Sequence, residues 1–237
     1  PDWFQLGDKD LALHLIRAAL LADGLGLCEV TAVLARRLGV TSAASIMPAT
    51  EDRVRTRVIT SEGEMAFQEY FVKHQCEPHL IAVRYEGIEA AKPALPLVSL
   101  LENAVGRGVD VVLGPSNPFL SLAPILDVPG MPNLLKERAR RVIAVSPIVE
   151  GQALKGPAAK IMSELGLSVS AAGWMQWMSD RYPGLIDVWV WDERDHELAD
   201  TMRVTHPNIV VTDTVMSDPE RARQFAERIL RVSRDGD

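Results

Sequence analysis

The sequence predicts an α/β fold: a Rossmann-like, mostly parallel sheet with helices on both faces and a β-hairpin insertion. Three observations predict it. From residue 95 onward, short strand-like runs at 109–113, 142–145, 186–191 and 209–212 alternate with helical stretches, the pattern of a parallel sheet covered on both sides. Two of those runs end in polar, proline-bearing loops, Gly114-Pro115-Ser116-Asn117-Pro118 and Ser146-Pro147-Ile148. In open α/β sheets, ligands sit just outside the carboxyl ends of the strands. Apolar residues make up 47% of the 237 residues, enough to build a substantial core. The expectation is one α/β domain over 1–237, with the hairpin inserted at 54–74.

Residues 8–22 read as a helix, with Asp8 as its N-cap and an apolar stripe of Leu11, Leu15 and Ala18. Gly24 and Gly26 end it, and a second helix over 28–38 stops at Gly39. A short strand is expected at 44–48. Residues 54–60 and 65–74 flank Ser61-Glu62-Gly63-Glu64, a hairpin signal. Within its second limb, Phe67, Glu69 and Phe71 fall on one face of a strand, and Gln68, Tyr70 and Val72 on the other. Glu69 between two aromatics then lines a polar site, or it guards an exposed sheet edge. Further helices are expected at 95–105, 132–139, 157–165, 171–180 and 219–233. Pro157 and Pro219 stand near the starts of two of them.

The bulk numbers exclude some functions. A formal net charge of −7 argues against non-specific nucleic-acid binding, which needs a basic surface. Cys28 and Cys76 are the only cysteines and lack metal-ligand spacing, which points to a reduced, cytoplasmic protein. No apolar run reaches the roughly 18–20 residues that span a bilayer, so no membrane partner is expected. The chain begins at Pro1 and its first methionine is Met47. The expectation is a fragment whose first strand and Gly-rich loop lie upstream.

Several clusters admit a functional and a bland reading. Ser116, Asn117 and Ser146 can hydrogen-bond a phosphate or a base edge, or can simply favour turns. Lys9 after Leu6-Gly7-Asp8, and Lys155 before Gly156-Pro157, place a cation at a helix start, where anions bind; surface lysines beside a cap are the bland alternative. The acids of Asp192-Glu193-Arg194-Asp195 and Thr212-Asp213-Thr214 suit Mg²⁺ with a substrate phosphate, or cap helices. The runs Arg36-Arg37 and 138–141 read as solvated helix ends. No hydrolase triad can be read from the order of the residues.

Taken as a set, several segments resemble one family. They are Asp2-Trp3-Phe4-Gln5-Leu6-Gly7-Asp8-Lys9-Asp10-Leu11-Ala12, Phe67-Gln68-Glu69-Tyr70-Phe71-Val72, Gly114-Pro115-Ser116-Asn117-Pro118 and Pro124-Ile125-Leu126. Ala144-Val145-Ser146-Pro147-Ile148, Lys155-Gly156-Pro157-Ala158 and Thr212-Asp213-Thr214-Val215-Met216 complete it. The chain is similar to the 2-phospho-L-lactate transferase family of coenzyme F420 biosynthesis.

The resemblance implies transfer of a phospholactyl-type or phosphoenolpyruvyl group. The donor is a guanosine diphosphate conjugate and the acceptor the deazaflavin Fo. The products are F420-0 or its dehydro form, and GMP. It implies Mg²⁺ as cofactor and suggests a homodimer. It assigns Gln5 and Lys9 to the Fo pocket, and Ser116, Asn117, Ser146 and Lys155 to the nucleotide site. The catalytic residues and metal ligands stay unassigned, because the family's Asp-rich segment does not occur here. Many relatives carry lysine before Leu-Gly-Asp and arginine after it; Gln5 and Lys9 stand there instead, and Ala123 replaces a usual glycine. A sister family of related fold, whose members bind nucleotide sugars and regulate metabolism, supplies the alternative of a non-enzymatic sensor.

Overall fold

The computed structural model describes residues 3–40, 44–104, 108–153 and 156–234. The chain opens with two helices, α1 (Asp8–Ala22) and α2 (Leu27–Arg37), joined by a glycine turn. Gly7, not Asp8, is the N-cap of α1, and Asp8 instead supplies negative charge in the first turn. Gly26 has no side chain to cap α2, so Glu51 reaches over from the following loop. Its carboxylate accepts from the N–H groups of Leu27 and Cys28. Burial, and then the Glu51 carboxylate beside it, push the Cys28 thiol up to about 11. The expected strand at 44–48 is not formed: no neighbour pairs with it, and Pro48 lacks an N–H to donate.

A small antiparallel sheet follows. β1 (Arg55–Thr60) lies between β2 (Gly63–Ala66) and β3 (Leu80–Glu86). The hairpin turn has two residues, since Thr60 pairs with Gly63. The second limb ends at Ala66, and residues 67–73 coil into a helix whose last five residues have π geometry. That overturns the strand reading of this segment. Phe67 and Phe71 stack with ring centroids 5.5 Å apart, and Lys73 bonds Glu69 at 2.8 Å. Both are four-residue spacings, which a helix satisfies and a strand does not. Glu69 therefore neither lines a site nor guards an edge; it holds a surface ion pair.

The second half carries the main sheet: β4 (Val109–Leu113), β5 (Ala139–Val145), β8 (Val188–Asp192) and β9 (Ile209–Thr212), all parallel and in that order. Between them run α3 (Leu95–Asn103, before β4), α4 (Ala123–Leu126), α5 (Met131–Arg138), α6 (Ala158–Glu164), α7 (Ala171–Arg181) and α8 (His196–Met202). A minimal hairpin of β6 (Ile148–Val149) and β7 (Gln152–Ala153) follows β5. Its two turn residues, Glu150 and Gly151, have φ of 50° and 72°, as a tight hairpin turn requires. The last helix is α9 (Pro219–Arg234).

Side-chain alternation along the strands sorts the core into two layers. Val142, Ala144, Trp189 and Trp191 join the large cluster that includes Met131, Ile161, Trp174 and Met178. Ile143, Val145 and Val190 face the other way and pack on Phe225 and Ile229 of α9. Each fully buried side chain of this size contributes about 1.5–3 kcal/mol. Of the run 138–141, only Arg138 stands at a helix end, that of α5. Arg140 and Arg141 lie on β5, where Arg140 pairs with Asp110 of β4 and Arg141 donates to the carbonyl of Val232. Among the described residues, no helix is long and apolar enough to cross a membrane.

Candidate functional site

Three strands of the main sheet deliver loops to one pocket. The loop after β4 contributes Pro115 and Asn117, that after β5 contributes Ser146 and Pro147, and that after β9 contributes Thr214, Val215, Met216 and Ser217. Ala158 of α6 closes the cleft, whose volume is about 540 Å³. A larger cavity of about 680 Å³ opens at the opposite ends of β5, β8 and β9, among Arg140, Arg141, Asp187 and Arg228. The smaller one is the better candidate, because ligand sites of parallel α/β sheets form at the carboxyl ends of the strands.

Asn117 is built into its loop by its own side chain. Its Oδ1 accepts from the N–H groups of Phe119 and Leu120, at 3.0 and 3.1 Å. It therefore caps the short helical turn Pro118–Leu122, with Pro118 at a first-turn position where no N–H is needed. Tyr85 of β3 donates its hydroxyl to the carbonyl of Phe119 and anchors this turn to the small sheet. Both acceptor directions of Oδ1 being taken, the amide nitrogen is the group left over. Nδ2 is buried and has no hydrogen-bond partner among the described residues. A buried donor without a partner costs about 1–3 kcal/mol, so a ligand acceptor placed here recovers that loss.

The other polar groups of the wall are committed to the protein. Ser146 is 1% exposed; its hydroxyl donates to the carbonyl of Ile148 and accepts from that residue's N–H. The Ser217 hydroxyl donates to Asp218. Thr214 gives both its N–H and its hydroxyl to Oδ2 of Asp192, each at 2.9 Å. Asp192 is fully buried. Burial alone would raise its carboxyl, but the N–H groups of Thr214 and Arg194 and the Thr214 hydroxyl together bring it below its usual value. Asp195, also buried, accepts from the N–H of Glu150 and so ties down the β6–β7 turn. Burial, reinforced by the charges of Asp192 and Glu150, holds the Asp195 carboxyl above its usual value.

Asn117 and Ser146 thus meet in one pocket, as the strand-end pattern implies. Ser116 sits between two pocket residues but does not line the cavity. Gln5 and Lys9 are exposed on the N-terminal segment and do not line it either. Lys155 lies outside the described residues. The sequence reading singled out Asp192 and Thr212-Asp213-Thr214 as acids for Mg²⁺ or for caps, but it did not place residues 214–217 in the pocket wall or pair Asp192 with Thr214. The signal was available: Ile209–Thr212 is a strand of the same sheet, so its carboxyl end belongs beside the other two. Asp213 accepts from the N–H of Val215 and pairs with Arg221, and Asp218 caps the start of α9. Among the described residues, no group of three or more His, Cys, Asp or Glu side chains is gathered for a metal ion. With Asp192 engaged by protein donors, the described residues do not gather a ligand set for Mg²⁺.

Among the described residues no lysine or arginine lines the pocket, and Pro115, Pro147, Ala158, Val215 and Met216 make the described wall largely apolar. Its apolar wall and the unpartnered Nδ2 of Asn117 suit a flat ring that offers an acceptor.

Comparison with known proteins follows this geometry. The family described as "2-phospho-L-lactate transferase CofD" matches residues 2–230. The 2-phospho-L-lactate transferase of Methanosarcina acetivorans is 36% identical over 226 residues, covering 95% of this chain and 70% of that protein. The phosphoenolpyruvate transferase of Mycolicibacterium smegmatis is 33% identical over 220 residues, covering 90% of this chain and 65% of that protein. Two crystal structures of a protein from Bacillus halodurans, one described as a member of the UPF0052 family, share the fold. Their TM-scores are 0.56 and 0.61 at 12% and 14% identity, covering 84% and 91% of this chain and 64% and 70% of those chains.

Proposed function

The chain belongs to the 2-phospho-L-lactate transferase family, and from that membership we propose that it transfers a phospholactyl-type or phosphoenolpyruvyl group from a guanosine diphosphate conjugate to the deazaflavin alcohol Fo. The terminal hydroxyl of Fo forms a new bond to the phosphorus distal to guanosine. The bond from that phosphorus to the bridging oxygen breaks, GMP leaves with the electron pair, and the hydroxyl proton passes to solvent. This is a phosphotransfer of a substituted phosphate group, in which positioning and electrostatics do most of the catalysis.

The observation that carries the reading is the strand-end pocket with one unpartnered donor, Asn117 Nδ2. An apolar slot closed by a donor favours a planar base with a carbonyl on its edge, as guanine has. Mg²⁺ belongs to the proposal as a companion of the donor's diphosphate.

The test is to incubate the protein with Fo, Mg²⁺ and, separately, the phospholactate, phosphoenolpyruvate and 3-phosphoglycerate conjugates of guanosine diphosphate, then to follow products by liquid chromatography and mass spectrometry. A phosphodiester of Fo formed together with GMP is expected, and its mass identifies the acyl group. A folded protein that binds GDP yet makes no product with any donor sinks the transferase reading in favour of a nucleotide sensor.

A further inference from the structure

We propose that Asp192 is a positioning residue for the strand-end pocket, holding the 214–217 wall at its working distance from Asn117. The inference rests on the nucleotide reading of that pocket. The ladder between β8 and β9 ends at the pair Asp192 and Thr212. Beyond it, the sheet offers residues 213–217 no further backbone partner. The Asp192 carboxylate takes over where the ladder stops. One oxygen receives the N–H and hydroxyl of Thr214, and the other receives Nε of Arg194 at 2.8 Å and its N–H at 3.2 Å.

Four donors on one buried carboxylate fix its orientation and compensate its charge. Thr214 is the first pocket residue after β9, and Val215, Met216 and Ser217 continue the wall. Asn117 is fixed from the other side by its own cap and by the bond of Tyr85 to Phe119. The two jaws of the cleft are therefore set by different anchors, and Asp192 sets one of them. Asp192 itself does not line the cleft. A carboxamide at the same position offers one acceptor oxygen instead of two, so either Thr214 or Arg194 meets an NH₂ group.

The experiment compares wild type with Asp192→Asn, Thr214→Val and Thr214→Ser, by amide hydrogen exchange and by calorimetric titration with GDP. In Asp192→Asn, exchange at residues 213–217 is expected to quicken about tenfold or more while β4 and β5 stay protected. GDP affinity falls by about tenfold or more. Thr214→Val, which removes only the hydroxyl, shows a smaller change of both kinds, and Thr214→Ser restores wild-type behaviour. Unaltered exchange at 213–217 in a folded Asp192→Asn protein overturns the proposal. So does an even loss of protection across the whole sheet, which marks a merely structural role. So does a loosened wall with undiminished GDP affinity. A wild-type protein that binds no GDP defeats the nucleotide reading instead, and the exchange pattern still decides whether Asp192 holds the wall.

Discussion

At the scale of single residues, the two buried acids beside the pocket differ in what their charges do for stability. Asp192 is held below its ordinary pKa, so its charge favours the fold above the unfolded value and that contribution is lost as pH falls through the folded one. Asp195 is held above its ordinary value, so its charge opposes the fold at neutral pH. That penalty disappears as pH falls through the raised value toward the usual carboxylate pKa of about 3.9. Asp195→Asn keeps an oxygen for the Glu150 N–H and removes the charge. It should raise the melting temperature at neutral pH, with the gain shrinking toward pH ~4. Scanning calorimetry at several pH values checks this; a lower melting temperature at neutral pH would show that the charge itself is needed.

At the scale of elements, close backbone approach decides what sequence propensity does not. Ser170 caps α7 by accepting from the N–H of Gly173 at 3.0 Å. The loop before the cap folds back so tightly that a Cβ on Gly173 would lie 2.1 Å from the carbonyl oxygen of Ser168. Replacing glycine by alanine inside a helix ordinarily stabilises by roughly 0.5–1 kcal/mol. Here Gly173→Ala should destabilise by about 1–3 kcal/mol, measured by urea unfolding. A stabilised variant would contradict the close packing of loop and helix.

The same scale explains what the sequence made legible. Strands of the main sheet were visible because β-branched and apolar residues run unbroken between turn residues at 142–145 and 209–212. Residues 67–73 misled because Phe67 and Phe71, four apart, share a face in a strand as well as in a helix, while Tyr70, three after Phe67, fits only the helical spacing. The deciding interactions, the Phe67–Phe71 stack and the Glu69–Lys73 pair, are made only once the segment is coiled. Strand β3 went unread, although its pairing with β1 closes the small sheet, because long-range pairing leaves no local mark. In the site, Asn117 and Ser146 were legible from turn chemistry at strand ends. The buried carboxylate of Asp192 was not, because its partner Thr214 lies 22 residues away in the loop after the next strand.

At the scale of the whole molecule, the parallel sheet aligns the ends of β4, β5 and β9 on one rim, and two independent anchors set the opening between them. Tyr85 ties the loop after β4 to the small sheet, and Asp192 ties the loop after β9 to β8. The central claim is that this rim seats the guanosine part of the donor through the unpartnered Nδ2 of Asn117. Calorimetric titration of GDP into wild type and Asn117→Asp tests it most directly. Aspartate keeps the acceptor that caps Phe119 and Leu120, while its second oxygen is buried without a donor, so unfolding stability should fall by about 1–3 kcal/mol with the fold retained. It also replaces the Nδ2 donor by a second acceptor, so GDP affinity should fall at least tenfold, on the order of 1.4 kcal/mol. A folded Asn117→Asp protein that binds GDP as well as wild type would contradict the account.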